Sequence, residues 1–101
     1  MSDLCLTLLC PPETEEKLLD HLLLSSDIVK VFTSTTTAAH GLSLDNLDQA
    51  EQVLGRARAT AIQVILAASD KTELLDTIRQ QFAGTGMRYW LTTVVEAGEV
   101  A

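Results

Sequence analysis

Arginines and a glycine-rich turn are the residues of this sequence best suited to binding an anion. Two arginines stand two positions apart, and a third follows shortly after a Gly-Thr-Gly triplet. A guanidinium group can donate two parallel hydrogen bonds to a phosphate or carboxylate, and such a turn can present backbone N–H groups to the same anion. The candidate ligand-binding residues are therefore Arg56, Arg58, Gly84, Thr85, Gly86 and Arg88.

This anion-binding pattern has an ordinary alternative. Three-residue G-x-G turns are common in proteins, so the triplet alone has little specificity. Arg56 and Arg58 can equally be solvated, or paired with the carboxylates of Glu51 and Asp48. The sequence leaves both interpretations open.

Metal binding is the second chemistry that the residue types allow. His40 lies in a long segment with few apolar residues, and Cys10 ends the first strand-like run. A thiolate and an imidazole that meet across a subunit boundary can bind a soft or borderline metal ion, with Asp45 or Asp48 completing the shell. The sequence lacks the CxxC or HxxxH spacing of a strong site, so the alternative for His40 is an exposed loop histidine.

A catalytic site is not expected. The run FTSTTTAAHG contains many hydroxyl groups, but the sequence places no acid–histidine pair to activate one of them as a nucleophile. The β propensity of threonine accounts for this run. We therefore expect a binding or regulatory protein rather than an enzyme.

Apolar periodicity predicts the elements that must position these residues. Leu4, Leu6 and Leu8 alternate as in a strand, which Pro11-Pro12 ends, and a helix follows with leucines on one face. Strand-like runs are then found at residues 29–36 and 60–66, far apart for a hairpin.

The second half of the sequence repeats the strand and helix pattern. Asp70 and Glu73 have capping-box spacing for a helix, and a strand is expected at about residues 88–95. The apolar face of this helix contains Leu74, Leu75, Ile78 and Phe82. The order β-α-β-β-α-β predicts an α+β, ferredoxin-like fold, in which two helices cover one face of an antiparallel sheet, as a single domain over residues 1–101.

In this topology the third strand lies between the first and second strands and is antiparallel to both. One end of the sheet then holds the candidate residues together: Cys10, the base of the long segment at about residues 37–56, Arg56, Arg58, the Gly-Thr-Gly turn and Arg88. The helix-free face would carry Trp90, Val94, Cys5 or Leu9, and an apolar face of that kind predicts association with other subunits.

Composition narrows the class of partner. The net charge is −7 at pH 7, so nucleic acid is not expected as a ligand. The N-terminal apolar run is short, Asp3 stands where a signal peptide carries positive charge, and no stretch reaches the length of a membrane span. We expect a cytoplasmic protein with Cys5 and Cys10 as free thiols.

Four runs of the sequence resemble a known family: EEKLLDHLL, FTSTTTAAHG, EQVLGRARA and FAGTGMRYWLTTV. Together with the element order and the long segment, they resemble PII-like signalling proteins and the related CutA-like proteins, and more narrowly a PII-like branch encoded near heavy-metal efflux pumps. The resemblance covers nearly the whole chain. It implies a homotrimer with ligand clefts between subunits, lined by a T-loop (here about residues 37–56) and by the turn before the last strand.

The function implied by this resemblance is regulatory. The protein would sense a small ligand or a metal ion and would modulate a transporter or efflux partner, and the cofactors considered are a nucleotide and a divalent or soft metal ion. The alternative is a CutA-like metal-binding protein that uses His40 and Cys10. The turn is shorter than in nucleotide-binding PII proteins, and the long segment lacks a tyrosine, which argues against nucleotide sensing and uridylylation.

Overall fold

The structure is a computed structural model that describes residues 2–40 and 56–101. Its elements in chain order are β1 (Asp3–Cys10), α1 (Pro12–Leu24), β2 (Val29–His40), β3 (Arg56–Ala67), α2 (Lys71–Phe82) and β4 (Arg88–Val94). The 3₁₀ turn Ala68–Asp70 leads from β3 into α2. The predicted β-α-β-β-α-β order is confirmed.

The four strands form one sheet in the order β2-β3-β1-β4, and every neighbouring pair is antiparallel. Because side chains alternate between faces along a strand, alternate residues of β1 and β3 enter a single core with both helices. The core residues from the sheet include Leu6, Leu8, Ile62, Val64 and Leu66, and those from the helices are Leu18, Leu22, Leu74, Leu75, Ile78 and Phe82. The ferredoxin-like α+β fold is therefore confirmed.

Both helices begin close to where the sequence places them, but α2 is not capped as predicted. Pro12 occupies the first turn of α1, where its missing N–H costs no hydrogen bond. Asp70 precedes α2 with φ −96° and ψ −3°, and its side chain makes no capping hydrogen bond. An N-cap side chain usually bonds from an extended backbone, so the preceding 3₁₀ turn removes the geometry that the capping box needs.

Strands β2 and β3 are longer than the predicted runs. The apolar pattern ends at residue 36 and begins again at residue 60, yet the antiparallel pairing continues through Ala38 with Arg58 to His40 with Arg56. Backbone hydrogen bonds extend this ladder, and Ala39, Ala57 and Ala59 within it are buried. Residues 37–40 and 56 of the predicted T-loop are therefore strand, while residues 41–55, including Asp45, Asp48 and Glu51, lie outside the described residues.

Candidate functional site

The ends of β2 and β3 form a two-stranded ribbon, consisting of residues 37–40 and 56–59. Cys10, the last residue of β1, is in register with Thr60, which pairs in turn with Thr36. Four residues of each strand continue past this level, which at a rise of ~3.4 Å per residue is about 14 Å. The ribbon carries the candidate residues His40, Arg56 and Arg58 beyond the sheet.

Register places the described candidate arginines on opposite faces of the sheet. Arg58 is two residues from Thr60, which contacts α1, so it lies on the helix side, while Arg88 pairs with Leu9 on the helix-free face. From the strand spacings, their Cα atoms are about 14 Å apart. Arg56 is two residues from Arg58 in the same strand and so occupies a position on the same face, but its side chain is outside the described part of the chain. The three positions share one end of the sheet, as predicted, but do not converge within one chain.

The turn before β4 is built by its two glycines and one threonine. Gly84 and Gly86 have φ values of 80° and 83°, a conformation that other residues rarely adopt. Oγ1 of Thr85 donates to the carbonyl of Phe82 at 2.7 Å and accepts from the N–H of Met87 at 3.4 Å, and the Thr85 N–H also donates to Phe82. Two of the turn N–H groups are thus engaged internally, so an anion would be bound through those of Gly84 and Gly86.

Cys10 is buried beside a small polar cluster at the start of α1. Its side chain is 1% exposed, and Oγ1 of Thr60, its neighbour in the sheet, donates a 2.9 Å hydrogen bond to Oε1 of Glu15. Burial raises the pKa of the Cys10 thiol, the negative charge of Glu15 raises that pKa further, and a hydrogen bond with Thr14 opposes both effects. Cys10 is therefore a protonated thiol at neutral pH rather than a ready metal ligand.

His40 and Cys10 are not neighbours within one chain. His40 is exposed, lies four residues beyond the level of Cys10 and is two strands away from it, so the two Cα atoms are about 17 Å apart. Among the described residues no three histidine, cysteine or acidic side chains are grouped as a metal site would require. A shared metal site for His40 and Cys10 stays a prediction that depends on a second chain.

The fourth arginine of the chain takes part in a contact that the sequence pattern did not indicate. Nη2 of Arg79 on α2 donates a 2.7 Å hydrogen bond to the hydroxyl of Tyr89 on β4, and its guanidinium lies 5.6 Å from the centre of that ring. Only the packing of α2 over β4 joins these residues, which are ten positions apart. No spacing rule in the sequence could have identified the pair.

The helix-free face of the sheet carries several apolar side chains among polar ones such as Thr7 and Gln63. Trp90 is 49% exposed and Val31 is 55% exposed, and Cys5, Leu9 and Ile65 between them are half-buried. The register places all five residues on this face, which confirms the predicted positions of Trp90, Cys5 and Leu9. Among the described helices, none combines the length and apolar character needed to cross a membrane.

Comparison with solved structures defines the class of fold as PII-like. The chain superimposes with a TM-score of 0.66 on a putative PII-like signaling protein from Thermus thermophilus, at 12% identity over 93% of this chain and 88% of that one. It is also similar to GlnK of B. subtilis, with a TM-score of 0.65 and 12% identity over 94% and 87% of the two chains. At such low identity these likenesses concern the fold alone.

A family model, described as a protein of unknown function (DUF3240), matches residues 1–101, and the chain belongs to that family. The crystal structure of a DUF3240 family protein from Shewanella baltica agrees, with a TM-score of 0.80 and 13% identity over 100% of this chain and 99% of that one. No curated protein matches the chain.

Proposed function

We propose that this chain is a PII-like regulatory protein that assembles as a homotrimer, binds a small ligand at clefts between subunits and modulates a transporter or efflux partner. In this proposal the ribbon of one subunit forms one wall of the cleft. The turn before β4 and Arg88 form the other wall.

The placement of Arg58 and Arg88 is the observation that carries the proposal. The two residues lie at one end of the sheet but on opposite faces, about 14 Å apart. Arg88 leaves the sheet on the helix-free side, and the ribbon projects past the sheet toward a neighbouring subunit. Because the ribbon carries Arg58 beyond its own sheet, two neighbouring chains can bring Arg58 of one and Arg88 of the other to one anion.

The apolar character of the helix-free face supports the assembly step. Exposed apolar side chains on a sheet face favour association, because each Å² of apolar surface left in water costs about 25 cal/mol relative to burial. Trp90 and Val31 are the most exposed large apolar residues on the face. Packing this face against other subunits removes it from water and creates the clefts.

Nucleotides and metal ions are the ligand classes to test first. The structural neighbour GlnK has also been solved as a complex with ATP, and phosphates suit arginine and glycine N–H groups. The resemblance to a PII-like branch encoded near heavy-metal efflux pumps points instead to a metal ion and to an efflux pump as partner. His40 is exposed at the end of the ribbon, where a metal ion can reach it.

The experiment is a thermal-shift panel of ATP, ADP, AMP, Cu²⁺ and Zn²⁺ with three variants, each compared with its own ligand-free melting temperature. A ligand that binds the folded state raises that temperature with concentration. For a nucleotide sensor, Arg88→Ala removes the shift and Arg79→Gln, on the other side of the sheet, keeps it. For a metal sensor, His40→Ala removes the shift. The absence of any shift in the wild-type protein would contradict the proposed ligand classes.

A further inference from the structure

A cleft of about 200 Å³ lies between the end of α2, the turn before β4 and the first residues of β4. Its walls are apolar and are formed by Leu8, Ile78, Phe82 and Met87. Leu8, Ile78 and Phe82 belong to the buried core, and Met87 packs against that core. The cleft is therefore a lobe of the core that opens to solvent, within one chain and on the helix side of the sheet.

Two polar side chains at the mouth of this cleft are hydrogen-bonded to each other. Arg79 and Tyr89 line it, and Nη2 of Arg79 donates to the Tyr89 hydroxyl at 2.7 Å. Because the hydroxyl accepts from Arg79, its own hydrogen is left to point at another acceptor. Nη1 of Arg79 lies 3.5 Å from Asp76, a long contact between exposed groups that leaves further guanidinium N–H donors for a ligand.

The mouth therefore offers donors and positive charge at the edge of an apolar space. A carboxylate is the group that such donors bind best, since a charged acceptor strengthens each hydrogen bond. The volume limits the rest of the ligand, because an apolar cavity of ~150 Å³ holds a single benzene ring and typical drug-sized pockets are ~300 Å³ or larger. A nucleotide is too large to be enclosed here.

We infer that this cleft binds a small monocarboxylate with an apolar body, such as an aromatic acid or a short-chain fatty acid. The body packs against Phe82 and Met87, and the carboxylate accepts hydrogen bonds from Arg79 and Tyr89. This site shares the turn before β4 with the proposed intersubunit cleft, but it lies on the helix side of the sheet within one chain and takes a different ligand through Arg79 and Tyr89. It does not depend on the trimer or on the function proposed above.

Benzoate is the probe that tests this inference, with benzyl alcohol and benzylamine as ligands of the same shape. In NMR titrations of the full chain, benzoate is expected to shift the Met87 methyl and the Gly84 and Gly86 amide resonances to saturation. Benzyl alcohol should bind more weakly, and benzylammonium should not bind. Arg79→Gln should weaken benzoate binding about fivefold, since the guanidinium is partly exposed, and should leave benzyl alcohol binding unchanged.

Two further variants make the outcome decisive. Tyr89→Phe keeps the ring and removes the second donor, so it should also weaken benzoate binding, whereas Arg88→Gln, on the opposite face, should have no effect. Equal binding of benzoate and benzyl alcohol, or no response to Arg79→Gln, would overturn the carboxylate assignment. Absence of saturation, or shifts of the same resonances on simple dilution of the protein, would overturn the site by showing that it is empty or covered by another copy.

Discussion

Nε2 of His21 on α1 lies 3.0 Å from Oγ1 of Thr77 on α2 and joins the two helices. The Thr77 hydroxyl donates its single hydrogen to the carbonyl of Leu74 at 2.9 Å, so it can only accept from the imidazole. The neutral His21 ring therefore carries its hydrogen on Nε2. The same ring meets Phe82 edge-on, with centroids 5.9 Å apart and planes at 79°.

This contact predicts a coupling between the two helices. His21→Ala should lower the free energy of unfolding by about 1–2 kcal/mol, because it removes one hydrogen bond and one edge-to-face ring contact. Thr77→Val removes the acceptor alone, and the double variant should lose less than the sum of the single losses. Denaturant unfolding of the four proteins measures the coupling. Strict additivity would show that the hydrogen bond contributes nothing to stability.

The buried hydroxyl of Thr60 predicts an asymmetric response at its partner Glu15. Thr60 is 4% exposed and donates to Glu15 at 2.9 Å. Glu15→Ala leaves that buried hydroxyl without its acceptor and should lower the free energy of unfolding by about 1–3 kcal/mol. Thr60→Val removes the buried donor itself, so no unsatisfied group remains and the loss of stability should be smaller. Denaturant unfolding measures the stability of both variants, and Glu16→Ala, at an exposed site in the same helix turn, is the control. A smaller cost at Glu15 than at Thr60 contradicts this account.

The raised pKa of Cys10 predicts a loss of stability at alkaline pH. The unfolded chain ionises this thiol first, at its ordinary pKa of 9.0, so above that pH the unfolded chain binds fewer protons than the folded chain. The contribution of the Cys10 thiol to the free energy of unfolding is fully present below the pKa of the unfolded chain. It declines as the pH rises through the pKa of the folded chain. Cys10→Ala should flatten this part of the stability profile between pH 8 and about 10.

The matched control for this pH dependence is Cys5→Ala. Cys5 lies on the helix-free face of the same strand and is half-buried. The Cys5 variant should retain the alkaline decline, and alkylation at pH 8 should modify Cys10 more slowly than a free thiol in the unfolded chain. Rapid alkylation of Cys10 in the folded protein would contradict its placement in the core.

The exposed Trp90 predicts where subunits associate. Trp90→Glu places a charge on the helix-free face and should dissociate the proposed trimer, because a tryptophan that acts as an interface hot spot contributes about 2 kcal/mol or more. Leu24→Glu is the control, since Leu24 is 86% exposed on α1, away from the sheet. Light scattering gives the molar mass of each variant. A wild-type monomer, or a Trp90 variant that stays trimeric, contradicts the role of this face.

The element order and the helical part of the core could be predicted from the sequence. Leu74, Leu75, Ile78 and Phe82 recur at helical spacing, and all four are buried. Such periodicity is a local property of the sequence, and it indicates which face of the helix packs against the sheet. The ends of β2 and β3 were not predicted because, although Ala57 and Ala59 are buried and alternate with Arg56 and Arg58, alanine is a weak strand former.

In the candidate site too, some features follow from local sequence patterns and others depend on tertiary packing. By itself the sequence determined that Arg58, Arg88 and the Gly-Thr-Gly turn reach one end of the sheet, since strand order and direction follow from the β-α-β-β-α-β sequence of elements. Only the tertiary structure decided their faces, because a shift of one residue in register moves a side chain to the opposite side of a sheet. The Arg79–Tyr89 contact likewise depends on how α2 packs over β4, which no local pattern encodes.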